Sequence, residues 1–295
     1  MRKLRFALFG NVFQPRKSVA VQKLLCLLDE RQASLLIDEA FYHYLTEEQR
    51  IDVPANAEII KDDRFLADVV ISMGGDGTFL EAARRVGNQQ IPILGINMGR
   101  LGFLADVSAD EMETAIAQIY DDDCQVEERS VLQLSYEHSE PEGYPFALNE
   151  VAVLKRDMSS MISIRVDING EYLTTFQADG LLVSTPTGST GYALSVGGPI
   201  IQPGSHTIGL TPVAPHSLTV RPLTLTDDAV ITLSVTSRNH RFLVSVDGRS
   251  EKCVENERLT IRRAPYIVRV IKRPNQSFFR TLRTKLMWGA DTREK

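Results

Sequence analysis

Residues 71–80 read Ile-Ser-Met-Gly-Gly-Asp-Gly-Thr-Phe-Leu. An apolar strand runs through three glycines around one aspartate into a helix-forming segment. Glycine lacks a β-carbon and tolerates φ > 0, so the chain can turn sharply there and a ligand can touch the backbone. The start of the following helix offers unpaired N–H groups and a partial positive charge, which suit phosphate. Asp76 leaves a single carboxylate at that point. Thr78 and Glu81 have the spacing of a capping box, which predicts a helix beginning at Thr78. Two other phosphate-binding patterns are excluded by spacing. There is no Gly-x-x-x-x-Gly-Lys-Ser/Thr, and no Gly-x-Gly-x-x-Gly follows the first strand.

Around this junction the first ~125 residues alternate short apolar runs with helical patterns, as α/β domains do. Arg5–Phe9, Ala33–Ile37, Asp68–Met73 and Ile91–Ile96 read as strands. Ser18–Glu30 reads as a helix with Val21, Leu24, Leu25 and Leu28 on one face. Strands that are apolar throughout, rather than alternating, predict a parallel sheet covered on both faces. After Glu127 the pattern changes to a succession of strands: Val131–Tyr136, Ile162–Ile168, Glu171–Phe176, Leu181–Ser184, Ala229–Val235, Phe242–Val246 and Ile267–Ile271. Asn169-Gly170 between two of them is a hairpin signal, because both turn positions need φ > 0. No helix of ordinary length is expected between about 130 and 270. Ser277–Trp288 reads as a last helix with Phe278, Leu282 and Leu286 at helical spacing and Gly289 as its stop. Its apolar stripe is expected to pack back on the first domain. The expected division is an α/β domain of residues 1–127 plus 275–295 and an all-β domain of 128–274.

Bulk properties narrow the function. The net charge of −5 and the lack of a basic stripe argue against a nucleic-acid partner. The basic residues around Arg280–Lys285 read as the solvated face of the last helix. Three cysteines far apart give no disulfide framework or thiolate metal site and suit a reducing cytoplasm. The five histidines show no ligand spacing. No run of ~18 apolar residues predicts a membrane span.

A second constellation occupies residues 179–199, where a strand leads into a loop dense in hydroxyls: Ser184, Thr185, Thr187, Ser189, Thr190 and Ser195, with Tyr192 among them. Hydroxyls can bond a purine edge or a ribose, and Tyr192 can stack on a base. Asn149-Glu150, ahead of the apolar run Val151–Leu154, is a third candidate, since a carboxylate can accept both hydroxyls of a ribose.

Taken in order and spacing, Gly74-Gly75-Asp76-Gly77-Thr78, Asn149-Glu150, Asp179-Gly180, the run Thr185–Tyr192, Gly197-Gly198-Pro199-Ile200 and Val246-Asp247-Gly248 resemble the NAD kinase family over nearly the whole chain. The resemblance implies a Rossmann-like N-terminal domain and a β-rich C-terminal domain. It implies ATP-dependent phosphorylation of the 2′-hydroxyl of NAD's adenosine ribose, with a divalent metal, usually Mg²⁺, for which no protein side chain is assigned. It further implies a cytoplasmic homodimer or homotetramer with the NAD site between domains and near a neighbouring subunit. By the same resemblance Asp76 is the catalytic base and Gly77 lies beside the pyrophosphate or ribose. Gly74, Gly75, Gly77 and Thr78 form the phosphate-binding turn. Asn149, Glu150, Asp179, Thr187, Thr190, Gly191, Tyr192, Ala193, Leu194, Ser195 and Asp247 line the NAD site. Three positions depart from the usual pattern: Gly191 replaces an alanine, while Gln177 and Glu81 stand where basic residues are common. Alternatives sharing the glycine junction are a lipid kinase of the diacylglycerol or sphingosine type, and a non-catalytic NAD-binding protein.

Overall fold

The computed structural model of the chain describes residues 2–11, 18–99, 102–156, 160–274 and 276–289. The chain divides into two compact units, Met1–Glu128 with Val268–Lys295, and Arg129–Ile267.

The first unit is built on parallel strands. From one edge their order is Glu58–Ile60, Ser34–Asp38, Arg5–Gly10, Val69–Gly74, Ile93–Asn97 and the end of the long strand Arg258–Lys272, which pairs through Val270. Val69–Gly74 and Ile93–Asn97 are buried at every residue, which explains their unbroken apolar sequence. Helices Ser18–Glu30 and Met112–Tyr120 share one core, the first through Val21, Leu24, Leu25 and Leu28, the second through Met112, Ala115, Ile116 and Ile119. The chain runs from Arg5–Gly10 to one side of the sheet and then returns to place Val69–Gly74 on the other. In open α/β sheets the crevice beyond the strand ends at such a reversal is where ligands bind.

The C-terminal helix is Phe278–Leu286, capped by the Ser277 side chain, which accepts from the Arg280 amide at 3.2 Å. It belongs to the first unit, with Thr281 and Leu282 buried and the Phe278 ring 6.4 Å from that of Phe103. Leu286 is exposed, so the expected three-residue stripe is shorter than its spacing suggested. Left-handed Met287 (φ 50°) ends the helix just ahead of Gly289 (φ 77°).

The second unit is antiparallel and β-rich. One sheet has the order Glu171–Ala178, Ile162–Ile168, Ile231–Thr236 and Arg258–Lys272. The other has six strands: Leu223–Thr226, Thr207–Val213, Gly180–Ser184, Glu150–Lys155, Arg241–Val246 and Arg249–Val254. Both contribute alternate residues to one core, including Ile164, Val166, Leu233, Val151, Val183 and Phe242. Asn169 (φ 51°) and Gly170 (φ 83°) form the expected two-residue turn between paired Ile168 and Glu171. The helix Tyr192–Ser195 covers the other face of the six-stranded sheet, where Ala193 packs with Ala152 and Leu182.

Candidate active site

The helix after the glycine turn is Asp76–Val86, with Gly75 as its N-cap in extended conformation and no side-chain cap bond. The capping-box expectation is therefore corrected. Thr78 sits inside the first turn, and Glu81 pairs with Arg84 at 2.6 Å. The helix starts two residues earlier, at Asp76, with Gly75 as its extended N-cap.

The three glycines serve different ends. A β-carbon on Gly74 would lie 2.1 Å from Thr78 Oγ1, so protein packing forbids one. At Gly75 and Gly77 a β-carbon would meet nothing within 4 Å. Neither backbone requires glycine, since Gly75 has φ −97° and Gly77 is helical. Both line a cleft of about 590 Å³ at the C-terminal ends of the strands, together with Gly10, Asn11, Asp38, Glu39 and Lys61. Their bareness keeps the helix start open to whatever occupies that cleft. Arg85, also on the cleft, pairs with Asp38 at 2.8 Å and with Asp63.

Asp76 is the first residue of the helix, and its carboxylate turns toward the following loop. Oδ2 accepts from the Phe103 amide at 3.0 Å, and Oδ1 from those of Leu104 and Ala105 at 3.0 and 3.2 Å. Nζ of Lys285, on the C-terminal helix, stands 3.5 Å from Oδ2. Residues Arg280, Arg283 and Lys285 are exposed, as expected of a solvated face, and Lys285 also reaches the Asp76 carboxylate from there.

In the second unit, the turn Asp247-Gly248 (φ 47° and 82°) joins paired Val246 and Arg249. The Asp247 carboxylate accepts from the amides of Leu148, Asn149 and Glu150 at 2.7, 2.9 and 3.0 Å. Asp247 therefore shapes the backbone that presents Asn149 and Glu150. The hydroxyl loop is fastened to the same turn. Thr185 donates from Oγ1 to Leu148 O at 2.6 Å and from its amide to Asn149 O at 2.9 Å. Ser189 donates to Pro186 O, and its hydroxyl accepts from the Ile201 amide. Thr187 Oγ1 accepts from buried Arg129 at 3.3 Å, and Thr190 donates to Thr187 O at 3.2 Å. The expectation that these hydroxyls face a ligand is corrected for Thr185 and Ser189, which are buried and occupied by the loop's own backbone.

Other side chains remain open. Tyr192 is 39 % exposed and Ser195 is exposed, while Leu194 is half-buried and Ala193 buried. Glu150 Oε2 is buried with no hydrogen-bond partner among the described residues. Burial, and then the charge of Asp247, pushes the Glu150 carboxyl up to about 7. A β-carbon on Gly191 would come within 3.2 Å of that oxygen, so glycine leaves room beside it where an alanine would crowd it. Asp179 is paired with Lys155 at 2.7 Å. Gln177 exchanges hydrogen bonds with Ser163 across the neighbouring strand.

Comparison with known proteins decides the family. Residues 21–124 match the ATP-NAD kinase N-terminal domain and residues 148–273 the ATP-NAD kinase C-terminal domain. The chain is 58 % identical to the NAD kinase of Bacteroides fragilis over 98 % of its length and 100 % of that protein. The chain belongs to the ATP-NAD kinase family. The fold agrees. A crystal structure of yeast NADH kinase complexed with NADH superposes with a TM-score of 0.89 at 22 % identity, covering 100 % of this chain and 91 % of that one. An NAD kinase from Archaeoglobus fulgidus in complex with ATP gives 0.74 at 24 % identity, covering 96 % and 99 %. The lipid-kinase alternative has no counterpart among these matches. In this NAD kinase family member, Lys285, Arg129, Lys155 and Gly102 contact predicted site residues without having been singled out from the sequence. Each acts across a long stretch of chain, where local spacing carries no signal.

Proposed function

We infer that the protein is an NAD kinase, transferring the γ-phosphoryl group of ATP to the 2′-hydroxyl of NAD's adenosine ribose to give NADP. The family supplies the reaction class. The observation that carries it in this chain is the open glycine turn. Gly75 and Gly77 are bare toward the cleft without any steric demand from the protein, and Asp76, between them in sequence, is held by the amides of Phe103, Leu104 and Ala105 beside it. Phosphoryl transfer needs positioning and charge neutralisation more than covalent help.

Asp76 is assigned as the base. An ionised carboxylate has about four acceptor positions. Three are taken by the amides of Phe103, Leu104 and Ala105, which orient it, and the fourth, on Oδ2, is shared between the Lys285 ammonium at 3.5 Å and the incoming 2′-hydroxyl. The amides of Gly75, Gly77 and the helix start face the phosphates, with Thr78 behind them. Asn149 and Glu150 hold the ribose hydroxyls of NAD, and Tyr192 stacks on a base. Gly191 through Ser195, with Thr190, shape the adenine side. Thr187 and Asp247 act by holding that loop and the 148–150 turn in place. Asp179, one-third exposed and paired with Lys155, contacts NAD beside that loop.

The family uses a divalent cation, and we assign Mg²⁺. No cage of three His, Cys, Asp or Glu side chains exists among the described residues. A cation here would be carried mainly by phosphate oxygens, with Glu39 as the nearest free carboxylate among the described residues on the cleft, since Asp38 is engaged by Arg85 and by the Phe41 amide. When bound, it neutralises charge on the transferred group.

We place the working enzyme in the cytoplasm as a homodimer or homotetramer. Its cysteines are free thiols, and no described helix is long and apolar enough to cross a membrane. Tyr172 and Leu173, exposed on the edge strand Glu171–Ala178, are apolar surface that such assembly would cover.

The test is to incubate purified protein with NAD, ATP and Mg²⁺ and measure NADP. Replacing ATP by inorganic polyphosphate assigns the donor, and replacing NAD by NADH or by diacylglycerol assigns the acceptor. NADP from NAD, with no product from the lipid, is expected. A folded protein that makes no NADP would overturn the assignment.

A further inference from the structure

We propose that Lys285 is a positioning residue of the phosphoryl transfer, delivered by the C-terminal helix to hold the Asp76 carboxylate. The proposal rests on the reading of Asp76 as the base. Basic side chains in a helix's last turn are ordinary partners of its dipole. Two contacts go beyond that. Lys285 Nζ lies 3.5 Å from Asp76 Oδ2 and 4.4 Å from the centroid of the Phe103 ring. Phe103 is also the residue whose amide donates to Oδ2, at 3.0 Å. One ammonium therefore meets the carboxylate and the side chain of the residue that orients it.

The helix is set to make this contact. Ser277 caps its start, Thr281 and Leu282 bury its inner face, and the Phe278 ring stands 6.4 Å from Phe103. Lys285 follows Thr281 and Leu282 by one turn, on the same side. The long stem lies along the apolar ring while the charged head reaches the carboxylate.

Oδ1 carries two amide donors and Oδ2 only one, so Oδ2 is the less-restrained oxygen. Lys285 holds the carboxylate from that side. Removing the lysine should misplace the base without altering Asn149, Glu150 or the loop Thr187–Ser195, which belong to the other unit.

The experiment is a double-mutant cycle on the full-length protein, measuring NADP formation and thermal melting for wild type, Asp76→Asn, Lys285→Met, Lys285→Arg and Asp76→Asn/Lys285→Met. Lys285→Met is expected to lower kcat about tenfold or more, with KM for NAD within about twofold, because small misplacements of a reacting group cost this much. Lys285→Arg restores most of the loss, and in the Asp76→Asn background the lysine substitution adds little. Unchanged kcat in Lys285→Met beside an impaired Asp76→Asn would overturn the role of Lys285 alone. So would a kcat loss that is fully additive with Asp76→Asn, or one that follows the melting temperature and is not rescued by arginine. Full turnover by Asp76→Asn would overturn the assignment of the base, and with it that of the lysine.

Discussion

A β-carbon on Gly102 would stand 1.9 Å from Oδ1 of Asp76. The glycine is the floor against which the carboxylate is pressed while the amides of Phe103, Leu104 and Ala105 hold it. Gly102→Ala must push that oxygen out of its hydrogen bonds. We expect kcat to fall by about 10²-fold, the scale of a 1 Å misplacement, with a smaller effect on KM for NAD. Steady-state kinetics on a variant shown to be folded checks this, and an unchanged kcat would mean that the carboxylate's present orientation is not the working one.

Glu150 gives a pH signature. Burial and the Asp247 charge raise its carboxyl from 4.5 to about 7. The unfolded chain therefore ionises this group at lower pH than the folded one does. Over that interval the unfolded state binds fewer protons, so stability falls as pH rises from about 4.5 to about 7 and stays reduced above it. The effect is at most roughly 3 kcal/mol. Urea midpoints of ligand-free protein at about pH 5 and about pH 7.5 should differ less for Glu150→Gln than for wild type. Equal pH slopes for the two proteins would place Glu150 in water rather than in this pocket.

Tyr192 is exposed on a four-residue helix whose next residue, Ala193, is buried. Removing its ring should leave the loop in place and weaken stacking. Tyr192→Ala is expected to raise KM for NAD about tenfold, on the scale of a base–aromatic stack of about 1–3 kcal/mol, with little change in kcat. An unchanged KM would remove the stacking role.

What could be read from the sequence was what is local. The glycine turn, the Asn169-Gly170 hairpin and the unbroken apolar strands are set by residues next to one another, and each lies where spacing placed it. Glu58–Ile60 was not legible, because three residues with two exposed positions carry no period. Nor was the second life of Asp247, whose sequence context shows a tight turn but not the three amides its carboxylate gathers from 148–150. Thr78 and Glu81 misled for the opposite reason. Their spacing matches a cap, yet Gly75 starts the helix before Thr78 can act. The partners of Lys285 were hidden by company, since nothing local to an exposed lysine among Arg280 and Arg283 points to Phe103 or Asp76.

The most direct measurement of the central claim is the turnover of Asp76→Asn with saturating NAD, ATP and Mg²⁺. The substitution keeps the side chain's shape but removes its capacity to take the 2′-hydroxyl proton. We predict that a folded Asp76→Asn protein forms NADP at least ~10²-fold more slowly than wild type, the usual contribution of a general base. Turnover near that of wild type would contradict the assignment of Asp76 to the chemistry of this site.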